Sequence, residues 1–517
     1  MSADHRRYDA VVVGSGFGGS ITALRLAQAG RRVLVLERGR RWRPGSFPRD
    51  VRQTNEVFWR HPQKAAATGL YEVRFHSGLA TVTASGVGGG SLIYANIHIR
   101  PDADVFEDPR WPRSYSRGAL DPYYDRVATR LGVAPVPESR VLPKRDRLRA
   151  AAQSLGEEIF DPDQAVAWQT AAGPGRAACQ YCAECEFGCN HGAKNTLDFT
   201  YLAEAEKLGA EIRAGVLVSH VAPEPSGYRV HLTDVATGEP GWVAGRQVIL
   251  SAGTLGTNEI LFRSRDTMDT LPAVSSRLGI GYSGNGDFLG TLRGTREPLA
   301  PWRGPDVTSV IKSRNAGVPF TLAAPTFNQP VMTALAALGP GHPEWVRPFA
   351  GLIWPALNWL VPLAFRLGFL NSASERGDPA VAERMTNLFA IGRDTAGGRL
   401  VWEKGRLDIQ WDYARENARL ISAMEMTMGR LAACYGGEYS PLPTWQIFRK
   451  ILTVHSLGGC HLSETPNEGV VSPDGEVHGY PGLFVADGSL VPTAIGFHPV
   501  MTIAAVCERI AERIAAR

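Results

Sequence analysis

The N-terminal segment up to residue 37 constrains the fold more than any other part of the sequence. Residues 9–13 form a short, mostly apolar run that ends at a glycine, which is typical of a buried parallel strand. The pattern then predicts a helix over residues 19–29, ended by Gly30, and a second strand over residues 32–36. A strand, a glycine-rich turn, a helix and a second strand in this order predict the first unit of a parallel α/β sheet.

The glycines of this unit fit a dinucleotide pocket. Gly14, Gly16 and Gly19 form the pattern G-x-G-x-x-G, with Gly18 between the last two. They permit a tight turn, a close approach of the backbone to a pyrophosphate, and close packing of helix and strand, respectively. Glu37 can accept hydrogen bonds from ribose hydroxyls and would repel a 2′-phosphate. The pattern favours a nucleotide site over a turn without a ligand, but it does not distinguish FAD from NAD.

Length and composition indicate the class of protein. A chain of 517 residues is too long for one simple core, which predicts two domains. The net charge of +4, without long runs of like charge, argues against a nucleic-acid partner. The first residues run directly into the predicted strand, and four of the seven cysteines lie within eleven residues, unlike a disulfide framework. We therefore expect a cytoplasmic location.

A second glycine cluster, SGVGGGSLIYAN, spans residues 85–96. Its three consecutive glycines expose backbone N–H groups with no side chain in the way. Such a loop can wrap a phosphate or press against a planar ring. The alternative is a flexible surface turn, which the apolar residues around the cluster disfavour.

With this cluster in place, the chain resembles the glucose–methanol–choline (GMC) oxidoreductases, and among them the bacterial cholesterol oxidase branch. The resemblance runs nearly end to end. Its further carriers are NHGAKNTLDFTYL at 190–202, VILSAGTLGTNEIL at 248–261, GYSGNGDFLG at 281–290, HSLGGC at 455–460 and GYPGLFVADGSLVPTAIGFHPVMTIAA at 479–505.

The resemblance implies an α/β fold in which a Rossmann-like FAD-binding domain is interrupted by a substrate domain of mixed β-sheet and helices. The FAD-binding domain would comprise residues 1–103, 181–287 and 445–517. The substrate-binding domain would comprise residues 104–180 and 288–444.

The resemblance also assigns the residues that would bind FAD. The ADP part would lie at the first glycine motif, namely Gly14, Gly16, Gly18, Gly19 and Glu37. The adenine edge, the pyrophosphate, the ribityl chain and the flavin would lie at Gly88, Gly89, Gly90, Ser91, Tyr94, Asn96, Val221, Asp487, Gly488 and Pro499. This chain departs from the best-known cholesterol oxidases at residues 94–96, where Tyr-Ala-Asn replaces Asn-Gly-Gly.

Two histidines are candidates for proton transfer. Oxidation of an alcohol needs a group that takes the hydroxyl proton as hydride leaves the carbon, and a neutral histidine suits this role. The resemblance makes His455 the base or main partner of the substrate hydroxyl and His498 the second partner, with their division of labour left open. Pro499 suits the first position of a helix over residues 500–514, which places His498 at the N-cap. The other histidines near the motifs are interpreted as structural: His98, His191, His461 and His478.

Four cysteines, Cys179, Cys182, Cys185 and Cys189, follow the spacing C-x2-C-x2-C-x3-C. This spacing matches bacterial ferredoxins, and thiolates this close can hold an iron–sulfur cluster or zinc. The alternatives are a structural loop of buried thiols and a local disulfide. A cluster would let electrons leave the flavin for an acceptor other than oxygen.

The stretch 345–370 is apolar, with eighteen uncharged residues between Arg347 and Arg366. This meets the lower limit for a transmembrane helix, but prolines recur in it every seven residues and would break or kink a span. We expect an apolar lid or a peripheral membrane-surface segment, with a buried core helix as the alternative. A lid would suit a bulky, lipid-like alcohol.

One absence bears on the reaction. Cholesterol oxidases that also isomerise the substrate's double bond place a glutamate over the steroid. This chain has no acidic residue between Asp306 and Glu344, and none again until Glu375. We therefore expect oxidation without coupled isomerisation.

Together these features predict an FAD enzyme that oxidises a CH–OH donor to a carbonyl compound by hydride transfer to flavin N5. The expected substrate is a hydrophobic or sterol-like alcohol, and the acceptor is oxygen or another oxidant. The alternatives are an FAD dehydrogenase with a non-oxygen acceptor and a flavin electron carrier without an alcohol substrate. The paired histidines argue against a carrier, which needs no base.

Overall fold

The computed structural model describes residues 4–49, 54–59, 68–169, 171–337, 348–367, 373 and 375–517. The strands in these ranges are, in chain order, β1 (Asp4–Val13), β2 (Val33–Glu37), β3 (Tyr71–Phe75), β4 (Ala80–Ala84), β5 (Ile97–His98), β6 (Glu158–Phe160), β7 (Asp163–Gln164), β8 (Glu211–Ala214), β9 (Val216–Glu224), β10 (Gly227–Asp234), β11 (Pro240–Leu250), β12 (Ile280–Tyr282), β13 (Phe288–Arg293), β14 (Val310–Asn315), β15 (Val318–Ala323), β16 (Thr386–Gly392), β17 (Gly398–Glu403), β18 (Arg406–Gln410), β19 (Glu438–Pro441), β20 (Leu452–Thr453) and β21 (Leu483–Val485).

The α-helices in the same ranges are α1 (Phe17–Gln28), α2 (Thr54–Val57), α3 (Arg117–Leu131), α4 (Pro143–Leu155), α5 (Tyr201–Lys207), α6 (Gly253–Phe262), α7 (Gln329–Ala337), α8 (Ala350–Arg366), α9 (Pro379–Ala382), α10 (Tyr413–Glu416), α11 (Ala418–Cys434), α12 (Pro443–Phe448) and α13 (Val500–Ala515). Short 3₁₀ helices lie at Gly89–Leu92, Ala103–Glu107, Cys185–Phe187 and Gly488–Leu490.

A seven-stranded sheet carries the N-terminal motif. Its order is β8-β2-β1-β11-β10-β9, and β21 pairs with the end of β11. The pairings among β8, β2, β1, β11 and β21 are parallel, whereas β10 pairs antiparallel with β11 and β9. Every residue of β2 is buried, which explains its continuous apolar run. The predicted strand–helix–strand unit is confirmed, with element ends that differ by one or two residues except that β1 begins earlier.

A second large sheet has six strands in the order β19-β13-β16-β15-β14-β6. Its pairings are antiparallel. Helix α11 packs against its central strands through an apolar face. The α/β fold class with helices and sheets of mixed pairing is therefore confirmed, while the residue boundaries of the two domains stay a prediction.

The two ends of the chain meet beside the first sheet. Helix α1 packs on helix α13, and β21 lies parallel to β11. At Gly18 an added Cβ would lie 1.6 Å from the carbonyl oxygen of Ala486, so only glycine allows this approach. The N-terminal turn and the C-terminal motif are thus in direct contact.

The apolar stretch 345–370 contains helix α8, which includes Pro355 and Pro362. No helix of the described residues is long and apolar enough to cross a membrane. Trp354 is buried, but Leu352 and Trp359 are 77% and 59% exposed. The alternative of a buried core helix is therefore wrong, because one side of α8 faces solvent. Residues 345–347 and 368–370 of the predicted segment lie outside the described residues.

Candidate active site

A cavity of about 710 Å³ extends from the first glycine motif to the histidine pair. Strand ends, loops and the start of helix α13 line it, as expected for a ligand site at the carboxyl ends of parallel strands. Most of the predicted site residues lie on its wall: Gly14, Gly16, Gly18, Glu37, Gly89, Gly90, Tyr94, His455, Asp487, Gly488, His498 and Pro499.

Three other predicted residues shape the walls without lining the cavity. At Gly19 an added Cβ would lie 2.0 Å from the carbonyl oxygen of Gly14, so helix α1 packs closely on β1 as predicted. The Gly88 N–H donates to Ser15 Oγ at 3.1 Å. Ser91 Oγ donates to the Gly88 carbonyl at 2.7 Å. Gly88 and Ser91 therefore hold the second glycine loop in place.

The structure places Val221 outside the cavity wall, and its role at the adenine edge stays a prediction. Its N–H donates to Ser264 Oγ at 3.1 Å, and its carbonyl accepts from Thr270 Oγ1 at 2.6 Å. Both backbone groups are thus used within the protein. The cavity instead reaches the start of β9, at Val216, Leu217 and Val218.

The N-terminus of helix α1 suits the phosphates of FAD. Gly16 is the N-cap residue, no side chain caps the helix, and the first turn has no acidic residue. The first N–H groups therefore remain available to an anion. The second glycine loop comes close to this point, because an added Cβ at Gly89 would lie 2.6 Å from Gly16 Cα.

Buried polar atoms near the cavity also fit a bound cofactor. The hydroxyl of Ser251, on the cavity wall, has no hydrogen-bond partner among the described residues. The side-chain oxygen and nitrogen of Asn96 also have no hydrogen-bond partner among the described residues. Asn96 is fully buried, and its neighbours Ala95 and Ile97 line the cavity. Because buried polar groups are normally paired, a polar ligand is expected beside them. The residues present therefore fit FAD.

Glu37 lies where the ribose of a dinucleotide is expected. Its Oε2 accepts from the N–H and the hydroxyl of Ser15, at 3.1 and 2.6 Å. Its Oε1 accepts from the Gly39 N–H at 2.8 Å. The carboxylate is fixed at the end of β2, and Oε1, which has one donor, keeps acceptor capacity for a ribose hydroxyl.

Asp487 is held in the same way at the C-terminal motif. Its Oδ2 accepts from Thr257 Oγ1 at 2.6 Å, and its Oδ1 accepts from the N–H and hydroxyl of Ser489. Burial raises the pKa of Asp487, while these hydrogen bonds lower it. The carboxyl group lies between α6 and the 3₁₀ helix that follows it.

The structure brings the two predicted histidines together. The ring centroids of His455 and His498 are 5.3 Å apart, with an interplanar angle of 78°. Phe389 stacks on His455 at 5.5 Å and meets His498 edge-on at 6.1 Å. All three residues line the cavity. One wall of the cavity thus presents two imidazoles held by an aromatic ring.

His498 differs from the expectation in its helix position. Pro499, with helical backbone angles, is the N-cap of α13, so His498 stands one residue before the cap. Pro499 and Val500 still line the cavity, so the N-terminus of α13 points towards it as expected. Burial lowers the pKa of His498 well below its usual range, and His455 and His98 lower it further.

His98, interpreted as structural, lies close to this site. It accepts or donates a hydrogen bond at Nε2 to the Tyr94 hydroxyl, at 3.2 Å. Burial lowers the pKa of His98 to about 3, so it is neutral near pH 7.

Sequence reasoning missed the loop that joins the two histidine segments, residues 283–287. Asn285 Oδ1 accepts from the N–H groups of Ile495 and Gly496, and Asn285 Nδ2 donates to the Phe497 carbonyl at 2.7 Å. Asp287, on the same loop, contacts His455 Nδ1 at 2.8 Å. The sequence signal for this loop was the segment GYSGNGDFLG, which supports the family resemblance. No function was assigned to that segment from the sequence.

The four cysteines do not form a single-ion site in this structure. All four are free thiols. Among the described residues, the group with ligand atoms in single-ion spacing is Cys182, Glu184 and His191, which contains only one of the thiols. Arg49 already pairs with Glu184 at 2.9 Å. Neither this geometry nor the relatives described below support the metal hypothesis for Cys179, Cys182, Cys185 and Cys189.

A carboxyl group does reach the cavity from the cysteine segment. Glu186 lines the cavity, and burial together with the nearby Asp306 raises its pKa well above the usual range. Lys194 holds this segment against the second glycine loop, since its Nζ donates to the carbonyls of Cys185 and Tyr94, each at 2.8 Å. The motif NHGAKNTL thus supplies a buried lysine that fixes the wall.

The wall beside the histidine pair is mostly apolar. Its residues come from loops and strands of the second sheet and from α7: Leu289, Val307, Pro325, Phe327, Val331, Leu335, Phe389 and Val454. This part of the cavity suits an apolar ligand.

Known proteins resemble this chain over most of its length. The N-terminal and C-terminal profiles of the GMC oxidoreductase family match residues 8–278 and 403–507. A cholesterol oxidase of Mycobacterium tuberculosis is 30% identical, over 98% of this chain and 90% of that protein. A long-chain-alcohol oxidase of Arabidopsis thaliana is 24% identical, over 98% of this chain and 67% of that protein. The crystal structure of pyridoxine 4-oxidase from Mesorbium loti has a TM-score of 0.67 at 17% identity and covers 98% of this chain and 99% of that one, a likeness of fold.

Proposed function

The chain belongs to the GMC oxidoreductase family of FAD enzymes acting on CH–OH groups, and we propose that it oxidises a hydrophobic alcohol. The observation that carries the proposal is the histidine pair on an apolar cavity wall. The polar imidazoles can hold one hydroxyl group, and the mostly apolar wall around them suits an apolar remainder. An electron carrier without a substrate would have no use for this arrangement.

The glycine loops and the start of α13 would hold FAD. When bound, FAD supplies the acceptor for the hydride that leaves the alcohol carbon. Gly14, Gly16 and the N-terminus of α1 would bind the pyrophosphate, and Glu37 the ribose. The N-terminus of α13, at Pro499, would stabilise negative charge at the reactive ring.

The histidine pair would bind and deprotonate the alcohol. A substrate hydroxyl placed between His455 and His498 can hydrogen-bond to both rings, since their centroids lie 5.3 Å apart. One ring takes the hydroxyl proton as the C–H bond breaks, and the carbonyl product forms. Phe389 packs against both rings, stacked on His455 and edge-on to His498.

A membrane surface would supply the alcohol through helix α8. One side of α8 is anchored, because Asn358 bonds both the N–H and the carbonyl of Phe75 at 2.9 Å. The opposite side exposes Leu352 and Trp359. Large apolar side chains with a tryptophan are typical of a helix that lies in a lipid–water interface. Strand β3, against which α8 is anchored, and its neighbour β4 also line the cavity.

Oxygen is the electron acceptor that we propose. The curated relatives named above are oxidases, and the geometry gives no support to a cluster that would lead electrons elsewhere. Hydrogen peroxide should therefore form in step with the carbonyl product. Product formation that needs a quinone or an artificial dye would contradict the choice of oxygen.

Anaerobic reduction of the bound flavin tests the proposed function. Purified FAD-loaded protein is mixed without oxygen with sterols, long-chain aliphatic alcohols, short polar alcohols and sugars, and the loss of flavin absorption is followed. The hydrophobic alcohols should bleach the flavin at concentrations where sugars do not. Bleaching by sugars alone, or by none of the alcohols, would overturn the proposal.

Two histidine variants test whether the histidine pair takes part in the reaction. His455→Ala should slow flavin reduction by at least about a hundredfold, the scale of general acid–base catalysis. His478→Ala is the matched control, because this histidine bonds Ser463 outside the cavity wall and should leave the rate unchanged. Equal rates in the two variants would remove His455 from the reaction.

A further inference from the structure

We propose that Asp287 positions His455 as the base, by fixing its tautomer with the proton on Nδ1 and by stabilising the imidazolium that forms during the reaction. The inference rests on the proposed function for the reaction step. It assigns a division of labour between the two histidines that the sequence left open. It also gives a role to a loop that no motif had explained.

Asp287 is built into the protein as a fixed carboxylate. Its side chain is completely buried, and Oδ1 lies 2.8 Å from Nδ1 of His455. Its Oδ2 accepts from Thr453 Oγ1 and from the Val454 N–H, both at 2.9 Å. Three hydrogen bonds thus hold the carboxylate against His455 and the two residues before it.

This contact decides which nitrogen of His455 can accept a proton. A carboxylate accepts hydrogen bonds, so the Nδ1 that faces it carries the hydrogen. The second nitrogen, Nε2, then has a lone pair. Among the described residues no group donates to Nε2, and His455 lines the cavity, so the lone pair is available to a substrate hydroxyl.

His498 lacks such a partner. Its Nδ1 is buried and has no hydrogen-bond partner among the described residues. Burial and the neighbouring His455 and His98 lower its pKa well below the usual range. A proton placed on His498 would therefore be poorly stabilised, and this ring is suited to hydrogen-bond the alcohol rather than to deprotonate it.

The step balances within the proposed reaction. The O–H bond of the alcohol breaks and its proton binds Nε2 of His455. The C–H bond breaks with both electrons leaving as hydride to FAD, and the C–O bond becomes a carbonyl bond. His455 then carries hydrogens on both nitrogens and a positive charge, 2.8 Å from the negative charge of Asp287.

Histidine NMR tests the tautomer without any alcohol. The FAD-loaded protein is labelled with ¹⁵N-histidine, and the His455 signals are assigned by their loss in His455→Gln. Near neutral pH we expect a protonated Nδ1 and an unprotonated Nε2. A proton on Nε2 of neutral His455 in the unmodified protein would overturn the inference, whatever the variants do.

Kinetics of flavin reduction test the role of the charge. Asp287→Asn keeps the size of the side chain, but its amide can donate to Nδ1 and so favour the tautomer with hydrogen on Nε2. We expect flavin reduction to slow at least about a hundredfold, with FAD content and alcohol binding retained. Asp287→Glu restores the carboxylate and should recover part of the lost rate.

Asp394→Asn is the matched control. Asp394, which follows β16, is also a buried carboxylate that contacts this loop. It accepts from Ser283 Oγ and from the N–H groups of Gly284 and Gly286, and these partners are not histidines. Its replacement should disturb the loop with less than about a tenfold effect on the rate. Equal slowing by Asp287→Asn and Asp394→Asn would show a purely structural role and overturn the inference. Failure of every alcohol to reduce the flavin of the unmodified protein would instead contradict the proposed function.

Discussion

At the scale of single residues, the contact between the two glycine loops decides whether the nucleotide pocket can form. Gly89 has a φ of 53°, and an added Cβ would lie 2.6 Å from Gly16 Cα. Gly89→Ala should therefore push the loops apart and weaken FAD binding by at least about tenfold, which corresponds to about 1.4 kcal/mol. The change is measured by titrating the FAD-free protein with FAD and following flavin fluorescence.

Gly209→Ala controls for backbone strain alone. Gly209 also has a positive φ, of 94°, but an added Cβ would meet no described residue within 4 Å. This variant should lose some stability and keep its FAD affinity. The interpretation fails if the two alanine variants bind FAD equally well.

The same scale shows what the sequence could and could not predict about the site. The places of Gly14, Gly16 and His455 on the cavity wall were predictable, because the glycines stand in a known pattern and His455 stands in a segment that carries the family resemblance. Asp287 was not, because its role depends on a contact with a residue 168 positions further along the chain. The cysteine spacing is a local pattern that predicted a metal site, and the folded segment does not support it, because the four thiols do not come together in single-ion spacing.

At the scale of elements, helix α8 gives a testable link between the surface and the cavity. Replacing Leu352 and Trp359 together by serine removes two exposed apolar side chains without touching the anchored Trp354. Binding to vesicles of phosphatidylcholine with phosphatidylglycerol should fall by at least about tenfold, since each large apolar side chain contributes about 1.5–3 kcal/mol when fully buried. Co-sedimentation with the vesicles measures the bound fraction.

Val141→Ser is the matched control for this surface. Val141 is 81% exposed but lies outside α8, in the segment before α4. Its replacement should leave vesicle binding unchanged. Unaltered binding of the α8 double variant would rule out this helix as the contact surface.

Strands and helices were predicted best where burial in the fold restricts which residues the local sequence can contain. The strand–helix–strand unit was found within one or two residues at most ends because β2 is buried on both faces, which requires an apolar run up to Glu37 at its end. Helix α8 was harder, because its apolar run resembles both a core helix and a surface helix. Exposure of Leu352 and burial of Trp354 separate these alternatives, and both depend on what α8 packs against.

At the scale of the whole molecule, one buried carboxylate ties the two ends of the chain together. Glu508, on α13, has a fully buried side chain and binds Arg25 of α1 through two hydrogen bonds of 2.7 and 2.8 Å. The Tyr201 hydroxyl of α5 donates to the same carboxylate at 2.8 Å. These bonds hold the helix that begins at the first glycine motif against the helix that begins at the histidine segment.

Removing the buried carboxylate of Glu508 should destabilise the fold more than removing an exposed carboxylate of the same helix. Glu508→Ala leaves Arg25, whose side chain is only 16% exposed, without its partner, and should lower the free energy of unfolding by about 3–5 kcal/mol. Glu512→Ala, one turn further along α13, removes a 49% exposed partner of Arg126 and should cost less than about 1 kcal/mol. Urea denaturation at fixed protein and FAD concentrations measures both, and equal midpoints would contradict the idea that Glu508 joins the two ends. Because the first residues of both helices line the cavity, Glu508→Ala should also weaken FAD binding, whereas Glu512→Ala should not.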